Sequence, residues 1–319
     1  MSITSASAAA PSSFTPRVLD AIRHYGTFGI FLVLVIVASF WSDAFLTERN
    51  LMNVVRQVAS GAGIMAIGML FVVLTRGIDL SVGSIAAVGS VLCAHLVAAQ
   101  GYGVPMAILL VILTGAACGV VTGFFVAYMR LPSFVISLII SAGRPITMGS
   151  SGASLVDFGS GFLFGIPQPA ILMLVIYAIG GVVLLYTSFG RIVTAIGSNE
   201  EAVRLSGVPV ERYVLSVYVI SGALAAVAGI VAAGRTGIGT PQVGVGAELD
   251  VIAAVVIGGA SLMGGRGGMF NTLLGALILG IITNIMNLAG VPGYHQNVYL
   301  GLIIILAMLI QFVTARSRR

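Results

Sequence analysis

Apolar runs of about membrane length follow one another along this chain with only short polar joints between them. That pattern decides what the chain can fold into. The runs cover residues 28–45, 58–75, 82–99, 104–129, 166–186, 213–233, 251–264, 269–288 and 298–315, and 134–141 forms a further, much shorter one. A helix of ~20 apolar residues crosses the ~30 Å hydrocarbon core of a bilayer. Only 8% of the residues are charged, against about 25% in soluble domains. The lipid bilayer is therefore the solvent, and the expected fold class is an all-α polytopic membrane helix bundle. The 319 residues hold about ten spans with short connections, so one domain over 25–315 is expected, with a disordered cytoplasmic tail at 1–24 and a basic tail at 316–319.

The charges that remain are a topology signal. If every run crosses, Arg17, Arg23, Arg76, Arg130, Arg191, Arg204, Arg212, Arg266, Arg316, Arg318 and Arg319 share one side, and Arg49, Arg56, Arg144 and Arg235 face the other. Arginine-rich joints stay in the cytoplasm, which places both termini and the loop 188–212 there. The arginines sit at segment ends and form no basic face, so nucleic acid is not an expected partner.

Dropping the short run at 134–141 would invert everything after it, so residues 131–165 are expected to cross. Eight helical residues reach only ~12 Å, and the rest of that crossing must be irregular backbone enclosed by other helices. The run at 251–264 is also short and ends among Gly258, Gly259, Gly264, Gly265, Gly267 and Gly268, which predicts a second broken element near 251–267. Two interrupted segments in one bundle are a transporter trait.

Basic residues are all arginine, and no lysine occurs. A standard phosphate-binding loop needs lysine, so any ATP-driven mechanism requires a separate ATPase. Cys93 and Cys118 fall inside apolar runs, as small buried fillers. His24, His95 and His295 have no acidic, histidine or cysteine neighbour at metal-ligand spacing, and no catalytic set is visible, so neither a metal site nor an enzyme is expected. Glycine spacings such as Gly61/Gly63/Gly68 and Gly275/Gly280 suit close helix packing.

Several polar residues within or beside the runs are open to two readings. In TRGIDLSVGS, Thr75 or Asp79 caps the following helix, with Ser81 and Ser84 satisfying freed amides, or Asp79 contacts a solute; Arg76 is its nearest candidate partner. Ser137 and Ser141 share a helix face, and Asn271, Asn284 and Asn287 lie on one segment. They line a path for a polar, uncharged solute or bond between helices. Glu248 and Asp250 precede a short segment and are expected at the outer surface.

The densest charge lies between Gly190 and Arg212, where Glu200, Glu201 and Arg204 occupy a loop expected to form a short helix on the membrane face. The run from Glu201 to Gly207 is similar to the EAA-x-x-x-G signature of ABC importer permeases, with Val203 in place of the second alanine. The longer run GRIVTAIGSNEEAVRLSG joins NLMNVVRQVA at 50–59, GIDLSVGS at 77–84, LPSF at 131–134 and VIAAVVIGGASLMGGRG at 251–267. Together they resemble the ribose-type branch of these permeases over residues 50–310.

The resemblance implies a permease subunit in a bacterial inner membrane, paired with a second copy or paralogue. A periplasmic sugar-binding protein would feed it, and a cytoplasmic ABC ATPase subunit, which holds the ATP and magnesium, would power it. The solutes it implies are a pentose-like sugar, a related polyol or a nucleoside. Residue by residue it assigns ATPase coupling to Gly197, Asn199, Glu200, Glu201, Ala202, Leu205, Ser206 and Gly207. The chain departs from such relatives between LPSFVISL and GRPI, where they carry a longer stretch that completes a helix. A self-sufficient carrier or channel for a small polar solute is the alternative, and would be expected to hold carboxylates within its spans.

Overall fold

The computed structural model describes residues 14–131, 133, 144–296, 298–303 and 305, with side chains from residue 26 onward. Ser137, Ser141, the run 134–141 and the basic tail lie outside the described residues.

The chain is built from helices α1 (Phe14–Trp41), α2 (Glu48–Val58), α3 (Ile64–Leu74), α4 (Val82–Ala98), α5 (Val104–Met129) and α6 (Ala153–Ser160). They are followed by α7 (Gln168–Tyr186), α8 (Ser188–Ser198), α9 (Glu200–Leu205), α10 (Val210–Thr236), α11 (Ala247–Ile257) and α12 (Met269–Leu288). Among the described residues five helical stretches are long and apolar enough to cross a membrane: Glu48–Leu74, α5, α7, α10 and α12; Gly26–Trp41 and α4 are shorter apolar helices. The polytopic helix bundle expected from hydropathy is the architecture found.

Two boundaries differ from the hydropathy reading. α1 reaches back to Phe14, into the segment expected as a tail. The second span starts at Glu48, well before the apolar run at 58, because Thr47 caps its first turn by accepting from the Asn50 amide and Glu48 sits favourably at the helix N-terminus. This first part is amphipathic, which hides it from a hydropathy window. A π-helical turn at Ala59–Gly63 joins α2 to α3, and inside it Gly61 leaves helical geometry (φ −120°, ψ −124°).

α10 is the axis of the bundle, packed on α3, α4 and α5. On α5, Gly115, Gly119 and Gly123 recur at four-residue spacing and meet α10 backbone to backbone. A Cβ at Gly119 would lie 2.4 Å from the Tyr218 carbonyl, and one at Gly222 would lie 2.3 Å from the Gly115 carbonyl. Small residues at this spacing let helices approach closely where no hydrophobic effect drives them together.

The elements divide between two ends. α8 and α9 form an elbow at one end, together with the turn after α3, the C-terminus of α5 and the 258–268 loop. The far end carries two small antiparallel ladders. β1 (Ile146–Thr147) pairs with β4 (Ile238–Gly239), with Ile146 opposite Gly239. β2 (Phe162–Leu163) and β3 (Ile166–Pro167) make a hairpin, with Leu163 opposite Ile166. Arg130 lines the elbow cleft with Arg76 and Arg204. Arg144 precedes β1 at the other end, and Arg56 lies there over the Phe162 ring. Residues 131 and 144 therefore lie at opposite ends, in agreement with the crossing expected of 131–165.

The second expected break is present. After α10 the chain turns back along α4, with Gly239 against Ser90 and Gly244 against Gly83. α11 then starts inside the bundle and runs only 11 residues, about 16 Å. It lies antiparallel to α12, its C-terminal Gly258 packed on Asn271 and Thr272.

The glycine contacts give a direct test. Gly119→Leu should lower the unfolding temperature of the detergent-solubilised protein, through overpacking of about 1–3 kcal/mol. Gly181→Ala, whose added Cβ meets nothing within 4 Å, should leave it unchanged; thermal unfolding of the two variants side by side checks this.

Candidate functional site

The elbow is fixed from below and free above. Thr187 caps α8 by accepting from the Gly190 amide. α8 then runs to Gly197, where the helix meets other backbone directly: a Cβ there would fall 1.7 Å from the Leu74 carbonyl and 2.4 Å from the Gly265 amide. That amide donates to the Leu74 carbonyl at 3.0 Å. Arg76 closes the joint, donating from Nε to the Gly197 carbonyl at 2.8 Å and from Nη2 to the Ser198 carbonyl at 2.9 Å. A guanidinium on the last carbonyls of a helix satisfies groups that have no intrahelical partner and suits the negative end of the helix dipole. Arg76 thus serves α8 and is not the partner of Asp79.

Asn199 breaks the helix (φ −158°, ψ 93°) and starts α9, its side chain accepting from the Ala202 amide at 3.1 Å. α9 contains no buried residue, and Leu205 is 79% exposed. Arg204 bonds Glu200 at 2.9 Å and also bonds Glu211 at the start of α10. Those two carboxylates, Glu211 foremost, hold its guanidinium above the ordinary arginine range. Ser206 ends the helix by bonding the Val203 carbonyl, and Gly207 takes φ +83°, which permits the sharp return to α10. All eight residues expected in coupling fall on this elbow: Gly197 as its fixed point, Asn199, Ser206 and Gly207 as its turns, and Glu200, Glu201, Ala202 and Leu205 on its helix.

Asp79 lies deep and is closed off, 1% exposed. One carboxylate oxygen accepts from the Ser81 amide at 3.0 Å and the Ser81 hydroxyl at 2.5 Å, and the other accepts from Ser221 of α10 at 2.8 Å. Ser221 is about 16 Å along α10 from Val210, so the 75–81 segment folds back into the bundle before α4 begins. Ser133 reinforces it, donating to the Ile78 carbonyl and accepting from the Leu80 amide. Of the two readings for Asp79 and Ser81, the geometry is that of a helix-starting tie between elements. Ser221, which sequence reasoning missed, completes it; a serine in a small-residue helix gives no local sign of a partner 142 positions away.

The three asparagines do not meet. Asn284 and Asn50 exchange reciprocal amide bonds of 3.0 and 2.8 Å, joining α12 to α2. Asn287 accepts from Gln296, and Asn271 lines an apolar groove between α7 and α12. Glu248 and Asp250 are not at the outer surface: Glu248 reaches Gly83 at the start of α4, and Asp250 faces a small cavity beside Gln57 and Thr283. Their α11 begins partway down the bundle, which an apolar count starting at Val251 could not reveal. Cys93 is buried and Cys118 half-buried, both free. Among the described residues no group of histidine, cysteine, aspartate and glutamate is placed to hold a metal.

Comparison with known proteins settles the class. The family model described as "Branched-chain amino acid transport system / permease component" matches residues 50–310. The chain belongs to this permease family. The ribose import permease protein RbsC of Escherichia coli (strain K12) is 40% identical over 292 residues, covering 88% of this permease and 90% of that protein. The L-arabinose ABC transporter permease protein AraH of Azospirillum brasilense is 34% identical over 321 residues, with 98% and 94% covered. The xylose transport system permease protein XylH of Haemophilus influenzae is 31% identical over 353 residues, with 88% and 94% covered. No solved structure matches. The permease is a transport component of a binding-protein-dependent ABC system and not an enzyme, and such a system implies ATPase and binding-protein partners.

Two substitutions test the joints. Asn284→Leu should destabilise the permease by about 1–3 kcal/mol, because the Asn50 side-chain oxygen loses its donor while its amide keeps only the Phe45 carbonyl; denaturant titration of the variant beside the parent measures it. Arg76→Ala should speed amide hydrogen exchange across 190–207 while leaving α5 and α10 protected, read by mass spectrometry.

Proposed function

We propose that this permease imports a pentose-like sugar or related polyol. A periplasmic binding protein delivers the solute to the far end, and separate ATPase subunits dock on the α8–α9 elbow. The observation that carries the reading is the mechanical contrast at the elbow. α8 is held by backbone contacts at Gly197 and by Arg76, whereas α9 buries nothing and presents Ala202 and Leu205 beside a rim of solvated charge. An exposed apolar patch rimmed by charge suits a groove on another protein. The printed names of the relatives, ribose, L-arabinose and xylose permeases, support the solute class.

On this reading the elbow end faces the cytoplasm of a bacterial inner membrane with both termini, and a second copy or paralogue completes the pore. Arg76, Arg130, Arg191, Arg204, Arg212 and Arg266 at that end support the orientation. ATP binding would draw paired ATPase subunits together, move the elbows, and alternate access to the centre of the bundle.

The Glu201→Arg, Gly207→Trp double variant should abolish co-purification of the ATPase while the permease remains monodisperse; retained assembly would remove the elbow from this role. Cysteine at position 157, in α6, should react with an impermeant thiol reagent from outside intact spheroplasts, and cysteine at 198 only after lysis. The reverse pattern would invert the orientation. Solute uptake into vesicles by the permease alone, without ATP, would favour a self-sufficient carrier.

A further inference from the structure

We infer that the cavity in which Asp250 faces Gln57 and Thr283 is a mid-membrane station of the translocation path, binding the hydroxyl groups of the passing solute. The cavity measures about 130 Å³ and is walled by Gln57, Gly61, Asp250, Gly280, Thr283 and Leu300 among others. Its depth follows from three elements. Gly61 is the middle of the continuous 27-residue stretch Glu48–Leu74. Gly280 and Thr283 lie roughly 16–21 Å along the ~30 Å of α12. Asp250 is in the first turn of the broken helix α11. Three separate helices therefore bring polar groups to one point near the bilayer centre.

The chemistry selects the occupant. Among the described residues the Asp250 carboxylate has no hydrogen-bond donor and no cation, and Glu248, two positions earlier on the same helix, adds only negative charge. An ionisable group at this depth is retained where it meets a substrate or a water-filled path, and broken helices in transporters mark such sites. The π-turn at 59–63 opens backbone at the same level, which hydrocarbon does not tolerate unless the backbone is enclosed or lines a polar cavity. A carboxylate accepts from hydroxyls, the Gln57 amide both donates and accepts, and the Thr283 hydroxyl does either. Among the described residues no arginine lines the cavity, so the carboxylate of an amino acid would go unmet there. One carboxylate with two neutral groups is too few oxygens for a calcium-type site. A neutral polyhydroxyl molecule fits this donor and acceptor set.

This inference rests on the sugar or polyol reading above, and the test separates the two. The permease is reconstituted in proteoliposomes with its ATPase and binding protein, and uptake of ribose, xylose, arabinose, erythritol and leucine is measured beside ATP hydrolysis. Asp250→Asn should slow uptake of the transported solute by ~10-fold or more, the loss expected when a charged hydrogen bond is weakened. Stimulation of hydrolysis by the loaded binding protein should stay within about twofold of the parent, so that more ATP is spent per solute moved. Thr283→Val should do the same to a smaller degree. Uptake unchanged in Asp250→Asn, or uptake and hydrolysis falling in proportion, overturns the inference and leaves the sugar reading standing; a parent complex that carries leucine and no sugar or polyol overturns both. If Asp250→Asn fails to assemble, Thr283→Cys takes its place. Its modification by a charged, water-soluble thiosulfonate should exceed that of the parent chain and slow when solute is being transported, and absence of modification overturns the inference.

Discussion

Hydrocarbon supplies no partner for a backbone amide or carbonyl, and the irregular stretches described within this bundle are placed where protein supplies one instead. The return into the bundle at 75–81 is bonded by Asp79, Ser133 and Ser221. The descent after α10 is lodged against α4, where Ser90 accepts from the Thr240 amide. The turn after α11 gives its Gly265 amide to the Leu74 carbonyl. Glycine makes these placements possible, because side chains at Gly119, Gly222 or Gly197 would hold neighbouring backbones apart.

Much of this was legible in the sequence because hydropathy and charge act over windows and need no knowledge of contacts. The bundle, the two ends and the break near 251–267 came from apolar length and arginine placement, and the crossing expected of 131–165 came from parity. The start of the second span did not: Glu48–Val58 is amphipathic, and only its cap and its packing identify it as helix. The depth of Glu248 and Asp250 was missed for a similar reason. A window over apolar residues locates the hydrophobic part of a broken helix but not the level at which the chain enters it.

The candidate site divides along the same line. The elbow was readable because its signals are local: charges within a few residues of one another, the length of a short helix, and an EAA-like run whose resemblance assigned the rest. What holds it in place was not, since Leu74, Arg76 and Gly265 are far away in sequence and carry no motif for one another. Arg76 in particular looked like a neighbour for Asp79 and instead sits on the carbonyls of α8. The asparagines that share α12 have separate partners, Asn50 and Gln296, so a common helix did not make a common surface.

The joint at Gly197 has a mechanical consequence. It rests on two stretches of chain, 74–76 and 264–265. The first is the lower end of the rod formed by α2 and α3; the second belongs to the loop below α11. The rod and α11 are both among the elements that wall the Asp250 cavity. The elbow is therefore tied at one joint to two elements that pack on each other and both border the same space. The π-turn, with Gly61 out of helical geometry, is where the rod itself borders that space, so the joint that anchors the elbow and the break in the rod belong to one continuous stretch of chain.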